Sequence, residues 1–303
     1  MKILVTGGAG FIGKHVVQFL LEKGNTITIL DNFSNSNKKS LVFLVEKGVK
    51  IIEGDITKLE DTDNAIKNHQ IVIHLAAKIS VKDSIKNPLE TFEINVEGTK
   101  NIIASCKKYH VEKLIIASSA AIYGENDLKI KVNEKIKNNP ISPYGESKLK
   151  MEEEIKENLS KTNTKYVILR FFNIYGIGQS HEYAGVITKF LERIKNNEFL
   201  EIFGDGMQTR NFISIKDVID SIYKSIEYNK NGTFNIGSEE GITIKKLAEL
   251  MISLSGKKLE IHYVPFKKGD IQYSNANIEL AKKCLKYNPK IDLKDEINEM
   301  LKN

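Results

Sequence analysis

The residues best suited to chemistry in this 303-residue chain are Tyr144 and Lys148, four positions apart in the segment SPYGESK at 142–148. A proline at the first helical position favours a helix start here, so both side chains are expected on one helix face, one turn apart. A free tyrosine titrates near pH ~10, and an ammonium about 5 Å away at an effective dielectric of about 20 favours its anion by on the order of 3 kcal/mol. The pair predicts an acid–base function, although Tyr-x-x-x-Lys also occurs by chance on many helices.

The chain opens with an apolar run and then the glycine-rich turn TGGAGFIG at 6–13. The turn fits two registers, one using Gly7, Gly10 and Gly13 and the other starting at Gly8. In either register it removes side chains where backbone N–H groups and a helix N-terminus meet a pyrophosphate. Together with the Tyr144–Lys148 pair, it predicts an enzyme that acts through a bound dinucleotide.

Three segments further along the chain are suited to other parts of such a cofactor. Asp31 ends the second apolar run, where a carboxylate accepts hydrogen bonds from a ribose 2′-OH, repels a 2′-phosphate and so favours NAD over NADP. Asp55 and Ile56 follow the third run and suit the adenine edge, with a turn-capping aspartate as the alternative. Leu75-Ala76-Ala77 follows the fourth run and is small enough to let the cofactor cross the strand ends, with helix–sheet packing as the alternative.

Two polar positions are candidates for substrate contacts. The hydroxyl pair Ser118-Ser119 ends the fifth run, where it either hydrogen-bonds a substrate alcohol and the Tyr144 phenol or caps the strand. Arg210 is one of only three arginines in a lysine-rich chain, which indicates a need for a planar fork. We expect it to grip a diphosphate, with an ion pair to Asp217 as the alternative.

The spacing of apolar runs predicts the elements that position these residues. Continuous apolar runs separated by helical stretches indicate a parallel sheet covered on both faces, hence an α/β fold of the doubly wound Rossmann type. We assign residues 1–173, with a return strand near 233–236, to this domain, and 174–303 mainly to a smaller C-terminal substrate lobe. The predicted strands are 3–6, 26–30, 50–53, 71–74, 114–117 and 166–169; the predicted later helices are near 183–195, 215–228, 243–254, 276–286 and 291–302.

Composition excludes several classes of protein. The net charge of +6 comes from scattered lysines, so we predict no nucleic-acid partner. We find no apolar run of about 18 residues and no signal peptide, so we expect neither membrane insertion nor export. Two distant cysteines and six histidines without ligand spacing fit a reducing cytoplasm and no metal.

Seven segments together resemble the extended short-chain dehydrogenase/reductases, and more narrowly the NDP-sugar epimerases of the UDP-glucose 4-epimerase type. The resemblance runs from residue 3 to about residue 290. The segments are TGGAGFIG at 6–13, HLAA at 74–77, NVEGT at 95–99, SSAAIYG at 118–124, SPYGESK at 142–148, RFFN at 170–173 and GDGMQTR at 204–210.

The resemblance implies a catalytic triad of Ser119, Tyr144 and Lys148, and a homodimer through helices near 89–109 and 143–160. It implies that Tyr144 takes the proton of a sugar 4-OH while a hydride leaves C4 for a retained NAD, after which the 4-keto sugar turns over and the hydride returns. The residues predicted to contact NAD are Gly7, Gly10, Phe11, Ile12, Gly13, Asp31, Asn32, Asp55, Ile56, Leu75, Ala76, Ala77, Asn95, Tyr144, Lys148 and Phe172. Those predicted to contact substrate are Ser119, Asn173, Phe203, Arg210, Lys267, Asp270 and Ser274.

Departures from the family pattern narrow the expectation. Ala120-Ala121 stands where the 4,6-dehydratases carry an acid and a base, so dehydration is disfavoured. Lys267 stands in place of an arginine, which keeps a charge without the fork. Ser274 stands where a bulky tyrosine would close the pocket to a 2-acetamido group, or it merely starts a helix.

The sequence therefore predicts an NAD-dependent 4-epimerase that interconverts UDP-glucose and UDP-galactose. The alternatives within the same chemistry are a 4-epimerase of UDP-N-acetylhexosamine or of UDP-glucuronate. The alternative from another class is a non-catalytic NAD-binding sensor, which would not need Tyr144 or Lys148.

Overall fold

The computed structural model describes residues 1–125, 130–179, 185–266 and 271–302. Its centre is a seven-stranded sheet in which all neighbours are parallel. The strands, from one edge to the other, are β11 (Gly232–Ile236), β6 (Lys165–Phe171), β5 (Lys113–Ser119), β4 (Ile71–His74), β1 (Lys2–Thr6), β2 (Thr26–Asp31) and β3 (Lys50–Glu53).

Helices cover both faces of this sheet, and further helices pack together in the C-terminal part of the chain. In chain order they are α1 (Phe11–Glu22), α2 (Val42–Glu46), α3 (Leu59–Ile66), α4 (Val81–Lys86), α5 (Pro88–Phe92), α6 (Gly98–Lys108), α7 (Pro143–Leu159), α8 (Val186–Lys195), α9 (Ile215–Glu227), α10 (Ile244–Ser255), α11 (Glu279–Leu285) and α12 (Leu293–Lys302). A π-helical turn over Glu93–Glu97 joins α5 to α6.

Short strands outside the central sheet form three pairs. These are β7 (Asn173–Tyr175) with β10 (Phe212–Ser214), β8 (Leu200–Phe203) with β13 (Ile261–Val264), and β9 (Thr209–Arg210) with β12 (Ile242–Thr243). The first two pairs are parallel and the third is antiparallel.

The alternation of side chains along the strands divides the core. Ile3 and Val5 pack on one face of the sheet and Leu4 on the other, and each joins a separate buried apolar cluster. Burial on both faces explains why the strands read as continuous apolar runs. The predicted doubly wound α/β class is confirmed.

The structure extends two of the predicted strands. β5 and β6 each continue two residues beyond the predicted end, to Ser119 and Phe171. Ser118 and Ser119 are thus the last two residues of β5, which confirms the prediction that this pair ends the strand.

A third buried cluster lies among the C-terminal elements. It joins Tyr175, Phe190 from α8, Leu247 from α10 and Ile297 from α12. The division at residue 173 remains a prediction, although the segment predicted as a return strand does form β11 beside β6. In the described part of the chain, no helix is both long and apolar enough to cross a membrane.

Candidate active site

The start of helix α7 is fixed by its own sequence. Ser142 caps the helix, because its hydroxyl accepts a hydrogen bond from the backbone N–H of Gly145 at 3.1 Å, and Pro143 is the first helical residue. A Cβ at Gly145 would lie 2.7 Å from the carbonyl oxygen of Ala121. The glycine therefore allows α7 to approach the turn that follows Ser119.

The structure brings Ser119, Tyr144 and Lys148 together between α7 and the end of β5. The Lys148 ammonium, 3% exposed, donates to the backbone carbonyl of Ala117 at 2.9 Å. The Ser119 hydroxyl accepts from the N–H of Ala121 at 3.1 Å and is hydrogen-bonded to the Tyr144 phenol. Ser119 thus both caps the strand end and contacts the phenol, so the two readings of the sequence are compatible.

Burial dominates the ionisation of Tyr144 and Lys148. It raises the pKa of the Tyr144 phenol, and the hydrogen bond with Ser119 opposes this rise. Burial also lowers the pKa of Lys148 to about 8, against the attraction of Glu152. Lys148 can therefore change its protonation near neutral pH, which a free lysine does not do.

The glycine turn at 6–13 forms a cradle without side chains. Gly7 has a left-handed φ of 67°, and a Cβ there would lie 2.7 Å from the backbone nitrogen of Ala76. A Cβ at Gly13 would lie 2.3 Å from the carbonyl oxygen of Gly7. Gly8 is required as well, because a Cβ there would lie 2.7 Å from the Ile29 side chain. The turn therefore uses the glycines of both registers.

Helix α1 begins next to this cradle with its N–H groups uncapped. Gly10 is the N-cap residue, and no side chain in the described ranges caps the helix there. The first turn, which includes Phe11, Ile12 and Gly13, contains no acidic side chain that would repel an anion. The cradle and the open helix start fit the pyrophosphate of NAD.

Asp31 and Asp55 both organise the backbone around the predicted ribose and adenine positions. Asp31 accepts from the N–H of Ala9 at 2.9 Å and from the N–H of Phe33 at 2.9 Å. Asp55 accepts from Asn32 Nδ2 at 2.9 Å and caps the turn at Thr57, whose N–H donates at 2.9 Å. The turn-capping reading of Asp55 therefore holds, and its contact with adenine, like that of Ile56, stays a prediction.

A directed chain of hydrogen bonds supports Leu75-Ala76-Ala77, and the sequence reasoning missed it. The Ala76 N–H donates to Thr6 Oγ1 at 3.2 Å, and Thr6 Oγ1 lies 2.7 Å from His74 Nδ1. His74 Nε2 lies 3.0 Å from Thr99 Oγ1, which donates to the Asn95 carbonyl at 2.6 Å. Since Thr99 gives its proton to Asn95, we assign the His74 proton to Nε2. Burial, with a smaller effect of Lys148, lowers the pKa of His74 to about 3 and keeps it neutral.

Asn95 connects the segment that follows β4 to helix α7. It lies in the π-helical turn, a rare conformation that often marks functional sites. Its amide accepts from the N–H of Lys78 at 2.8 Å, and it donates to the Lys78 carbonyl at 3.0 Å and to Ser147 Oγ at 2.9 Å. These contacts give Asn95 a structural role, and its predicted contact with NAD stays a prediction.

Some of the predicted substrate residues line a cleft of about 680 Å³ beside the end of β6. Asn173, Phe203 and Arg210 all line this cleft, with Gln208 among them. The pairing of Phe171 with Ser119 brings Phe172 and Asn173 to the same sheet edge as the triad.

The alternative partner of Arg210 and the remaining substrate candidates have different outcomes. Asp217, the alternative partner, accepts from the backbone N–H groups of Lys290 and Ile291 at 2.9 and 3.2 Å, so it anchors the C-terminal segment. Ser274 donates its N–H to Thr209 at 3.1 Å, which places it beside Arg210. Helix α11 begins only at Glu279, so the idea that Ser274 starts a helix is wrong. The predicted substrate residues Lys267 and Asp270 lie outside the described residues.

Sequence reasoning also missed a buried ion pair next to the catalytic helix. Arg170 donates through Nη2 to Glu152 at 2.7 Å, and both side chains are almost fully buried. The argument from scarce arginines, applied above only to Arg210, would have found Arg170 as well.

Comparison with known proteins agrees with this geometry. Residues 3–237 match the model of the NAD dependent epimerase/dehydratase family. A Methanocaldococcus jannaschii protein, provisionally named a UDP-glucose 4-epimerase, is 38% identical over 99% of this chain and 97% of its own.

Two solved structures have closely similar folds. The UDP-N-acetylglucosamine 4-epimerase of Methanobrevibacter ruminantium, in complex with UDP-N-acetylmuramic acid, has a TM-score of 0.94 at 32% identity and covers 99% of this chain and 97% of its own. The UDP-glucose 4-epimerase of Thermotoga maritima with UDP-glucose has a TM-score of 0.93 at 35% identity and covers 100% of this chain and 98% of its own. The sheet, the glycine cradle and the match across most of the chain lead to one conclusion: this protein belongs to the NAD dependent epimerase/dehydratase family, and its cofactor is NAD.

Proposed function

We propose that this protein interconverts UDP-glucose and UDP-galactose by epimerisation at C4 through a transient 4-keto sugar. The observation that carries the proposal is the arrangement of Ser119, Tyr144 and Lys148 at the sheet edge that also bears the glycine cradle and Asn173. The relatives named above, which are UDP-sugar 4-epimerases, support the same reaction class.

In this proposal Tyr144 removes the proton from the sugar 4-OH and later returns one to the 4-oxygen. The Ser119 hydroxyl hydrogen-bonds both the phenol and the sugar oxygen, so it holds the proton path at the required length. Lys148, held by the Ala117 carbonyl, supplies positive charge that favours the phenolate. NAD, when bound, supplies the acceptor and donor of the hydride at C4.

The chain's own residues also argue for a retained cofactor. Gly7 and Gly13 allow the backbone to approach a pyrophosphate, and Asp31 and Asn95 hold the loops on either side of it. Because each hydride that leaves the sugar is returned to it, the cofactor is not consumed and a closed site has no disadvantage.

Residues after Ser119 argue against elimination of water. Ala120 and Ala121 belong to a 3₁₀ turn that directly follows β5 and have no acid or base to offer. A 4,6-dehydratase needs both at this place, according to the family pattern. We therefore propose epimerisation rather than dehydration.

The second candidate substrate is a UDP-N-acetylhexosamine. Ser274 has a small side chain beside Arg210, and the Methanobrevibacter enzyme of similar fold is named a UDP-N-acetylglucosamine 4-epimerase. A 2-acetamido group would then have room. UDP-glucuronate is a third candidate within the same chemistry.

The test is to incubate the purified protein, without added cofactor, with UDP-glucose and with UDP-N-acetylglucosamine, and to separate products by anion exchange. We expect UDP-galactose from the first, and the faster of the two substrates identifies the sugar. No conversion of either, even with added NAD, would contradict the proposal and direct the assay to UDP-glucuronate.

We further propose a homodimer through the helices near 89–109 and 143–160. Ile85 and Leu89, which are 64% and 86% exposed, supply apolar surface next to the first of these helices. Light scattering should give twice the chain mass, and Leu89→Lys should reduce it to one. A monomer in the parent protein would contradict the proposal.

A further inference from the structure

The buried carboxylate of Glu152 continues the line of the catalytic pair along helix α7. Tyr144, Lys148 and Glu152 follow one another at intervals of four residues, so their side chains share one helix face. The Glu152 side chain is 0% exposed, and the proposed reaction gives it no task. A fully buried carboxylate needs charged or hydrogen-bonding partners to remain ionised.

Glu152 accepts four hydrogen bonds from three partners, which lie on three elements. Arg170 on β6 grips it with two hydrogen bonds, Nε to Oε1 at 2.9 Å and Nη2 to Oε2 at 2.7 Å. Ser118 on β5 donates its hydroxyl to Oε1 at 2.6 Å, and Lys156 on α7 donates to Oε2 at 3.0 Å. The carboxylate thus ties α7 to the two strands whose ends form the active site.

The network continues from Arg170 to the edge of the sheet. Arg170 Nη1 donates to the Tyr123 phenol at 2.8 Å, and Tyr123 donates to Asn235 Oδ1 at 2.6 Å. Ser118 adjoins Ser119, and Arg170 lies three residues before Asn173. A change at Glu152 therefore reaches the residues beside the catalytic hydroxyl and beside the substrate cleft.

We propose that Glu152 is a positioning residue for the catalytic pair: with Arg170 it holds α7 in register with β5 and β6, and it is the anion that the Lys148 ammonium faces. The proposal rests on the proposed function, because it requires Tyr144 to take up and return a proton beside the Lys148 charge. It adds a charged layer behind the triad that acts on the reaction without touching the sugar.

The electrostatics of the site agree with this geometry. Burial lowers the pKa of Lys148, and Glu152 is the group that opposes the fall. Burial disfavours ionised Glu152 as well, but the hydrogen bonds and charge of Arg170, with help from Lys156 and Ser118, hold its pKa below the usual value. Glu152 is therefore a fixed negative charge across the working pH range.

Other ionisable groups near Lys148 do not replace this charge. Tyr144 is its reaction partner, and His74 on β4 is neutral above pH of about 3. Cys106 on α6 is buried, and burial raises the pKa of its thiol, so it carries no charge. The Asp, Glu and Lys side chains of the helices packed against α7 are at least partly exposed: Lys82, Asp83, Lys86, Glu90, Glu93, Glu97, Lys100, Lys107 and Lys108. Lys113 lies at the opposite end of β5, where it donates to the carbonyl of Ile226.

The sign of the expected effect follows from the charges. Tyr144 and Lys148 titrate as a coupled pair, so two macroscopic pKa values bound the active form. Loss of the Glu152 anion makes the protons of Tyr144 and Lys148 leave more easily, so both limbs of the pH profile shift to lower pH. Loss of the Arg170 cation shifts both limbs to higher pH. A purely structural ion pair would lose activity in both variants, with the limbs unmoved.

The test compares Glu152→Gln and Arg170→Gln with the parent protein. The readout is the affinity for NAD⁺ as a function of pH, measured by calorimetry, together with kcat/KM for the epimerised sugar. We expect the midpoints to move by about one pH unit, downward for Glu152→Gln and upward for Arg170→Gln. Glu154→Gln is the matched control. Glu154 lies on the same helix, and its Oε1 pairs with Lys100 Nζ at 3.9 Å and with Lys150 Nζ at 3.5 Å. Its midpoint should stay at the parent value.

A safer variant keeps the test decisive if the buried substitutions prevent folding. The Lys156 side chain is 39% exposed, so Lys156→Gln should fold, and loss of this cation should raise both midpoints by about 0.3 pH units. Unmoved midpoints in every folded charge-removing variant would overturn the proposal. The NAD⁺ titration needs no sugar, so moved midpoints with an inactive parent would refute only the proposed function.

Discussion

Two regions of the molecule are built in different ways. One is the predicted cofactor edge, formed by the ends of β1 and β4 and the residues that support them, and the other is the proposed substrate cleft around Asn173, Phe203 and Arg210. At the cofactor edge, the hydrogen bonds from Ala76 through Thr6, His74 and Thr99 to Asn95 run in one direction and use each group. Thr6 and His74 lie on strands of the central sheet, Asn95 lies in the π turn and Thr99 lies on α6. The arrangement is complete before any ligand binds.

The substrate cleft is left incomplete. The buried Oε1 of Gln208 has no hydrogen-bond partner among the residues that the structure describes, while its Nε2 donates to the carbonyl of Phe203 at 2.7 Å. Phe203 and Met207 are 41% and 60% exposed on a short strand and a turn. Buried unpaired acceptors and exposed aromatic rings are unfavourable until a ligand covers them. The difference suits a cofactor that stays and a substrate that exchanges.

Tyr144→Phe tests the chemistry where the two regions meet. The variant keeps the ring and its packing but removes the group that moves the proton, so kcat should fall about a thousandfold while NAD content is unchanged. Turnover by anion exchange and NAD released by acid precipitation give the two numbers. An NAD-binding sensor would hardly notice this change, and turnover at the parent rate would refute the acid–base role.

Gly13→Ala tests whether the cofactor edge is as tightly built as its contacts indicate. The added Cβ would lie 2.3 Å from the carbonyl oxygen of Gly7, which is a backbone atom that cannot move aside. We expect NAD affinity to fall about a hundredfold, measured by calorimetry on protein stripped of cofactor.

Gly24→Ala is the matched control at the other end of α1. Gly24 has a φ of 77° but open space around its Cβ position. This variant should lose about 1 kcal/mol of stability and keep the parent's NAD affinity. Equal loss of NAD from both variants would show that helix stability, and not the cradle, controls binding.

The same contrast explains what could be predicted from the sequence. The sheet was predictable because each strand is buried on both faces and so reads as a continuous apolar run. The glycine turn and the pair on α7 were predictable because a fixed spacing along one element decides which groups meet. Strand ends were less so, since Ser118 and Ser119 are polar yet continue β5.

Contacts between distant elements could not be predicted from spacing. His74 reads as one more residue of an apolar strand, and its partners Thr6 and Thr99 come from segments 68 and 25 residues away. Glu152 reads as one of several surface glutamates of α7, and only the fold brings Arg170 to it. The sequence predicts that Lys148 lowers the Tyr144 pKa, but in the structure burial raises this pKa and the opposing group is Ser119.

His74→Gln tests the completeness of the cofactor edge through stability. The pKa of His74 is lowered to about 3, so the folded protein does not bind the proton that the unfolded chain takes up below pH of about 6.5. The stability that neutral His74 contributes is therefore present above that pH and is lost as the pH falls. Between pH 7.5 and 5 the parent should lose about 2 kcal/mol through this residue.

Urea unfolding at the two pH values measures this loss. Other groups also titrate, so the relevant quantity is the difference between the parent and His74→Gln, whose amide does not ionise. The variant should be less stable at pH 7.5 but should depend less on pH. The same pH dependence in both proteins would show that His74 is charged in the folded state or exposed to water.

Arg210→Lys tests the incomplete region and should have the smallest effect. Arg210 lines the cleft beside Asn173, on a two-residue strand, and its fork is suited to the two phosphates of a nucleotide diphosphate. Lysine keeps the charge and loses the second hydrogen bond, so KM for the UDP-sugar should rise about tenfold with kcat nearly constant. Arg193→Lys is the control, because Arg193 lines the same cleft but stacks on Phe199 and lies 3.7 Å from Glu201. If both variants changed KM equally, charge in the cleft, and not the fork of Arg210, would account for diphosphate binding. If Arg210→Lys lowered kcat instead, its contacts would belong to the preformed catalytic edge, and the boundary between the two regions would lie further into the cleft.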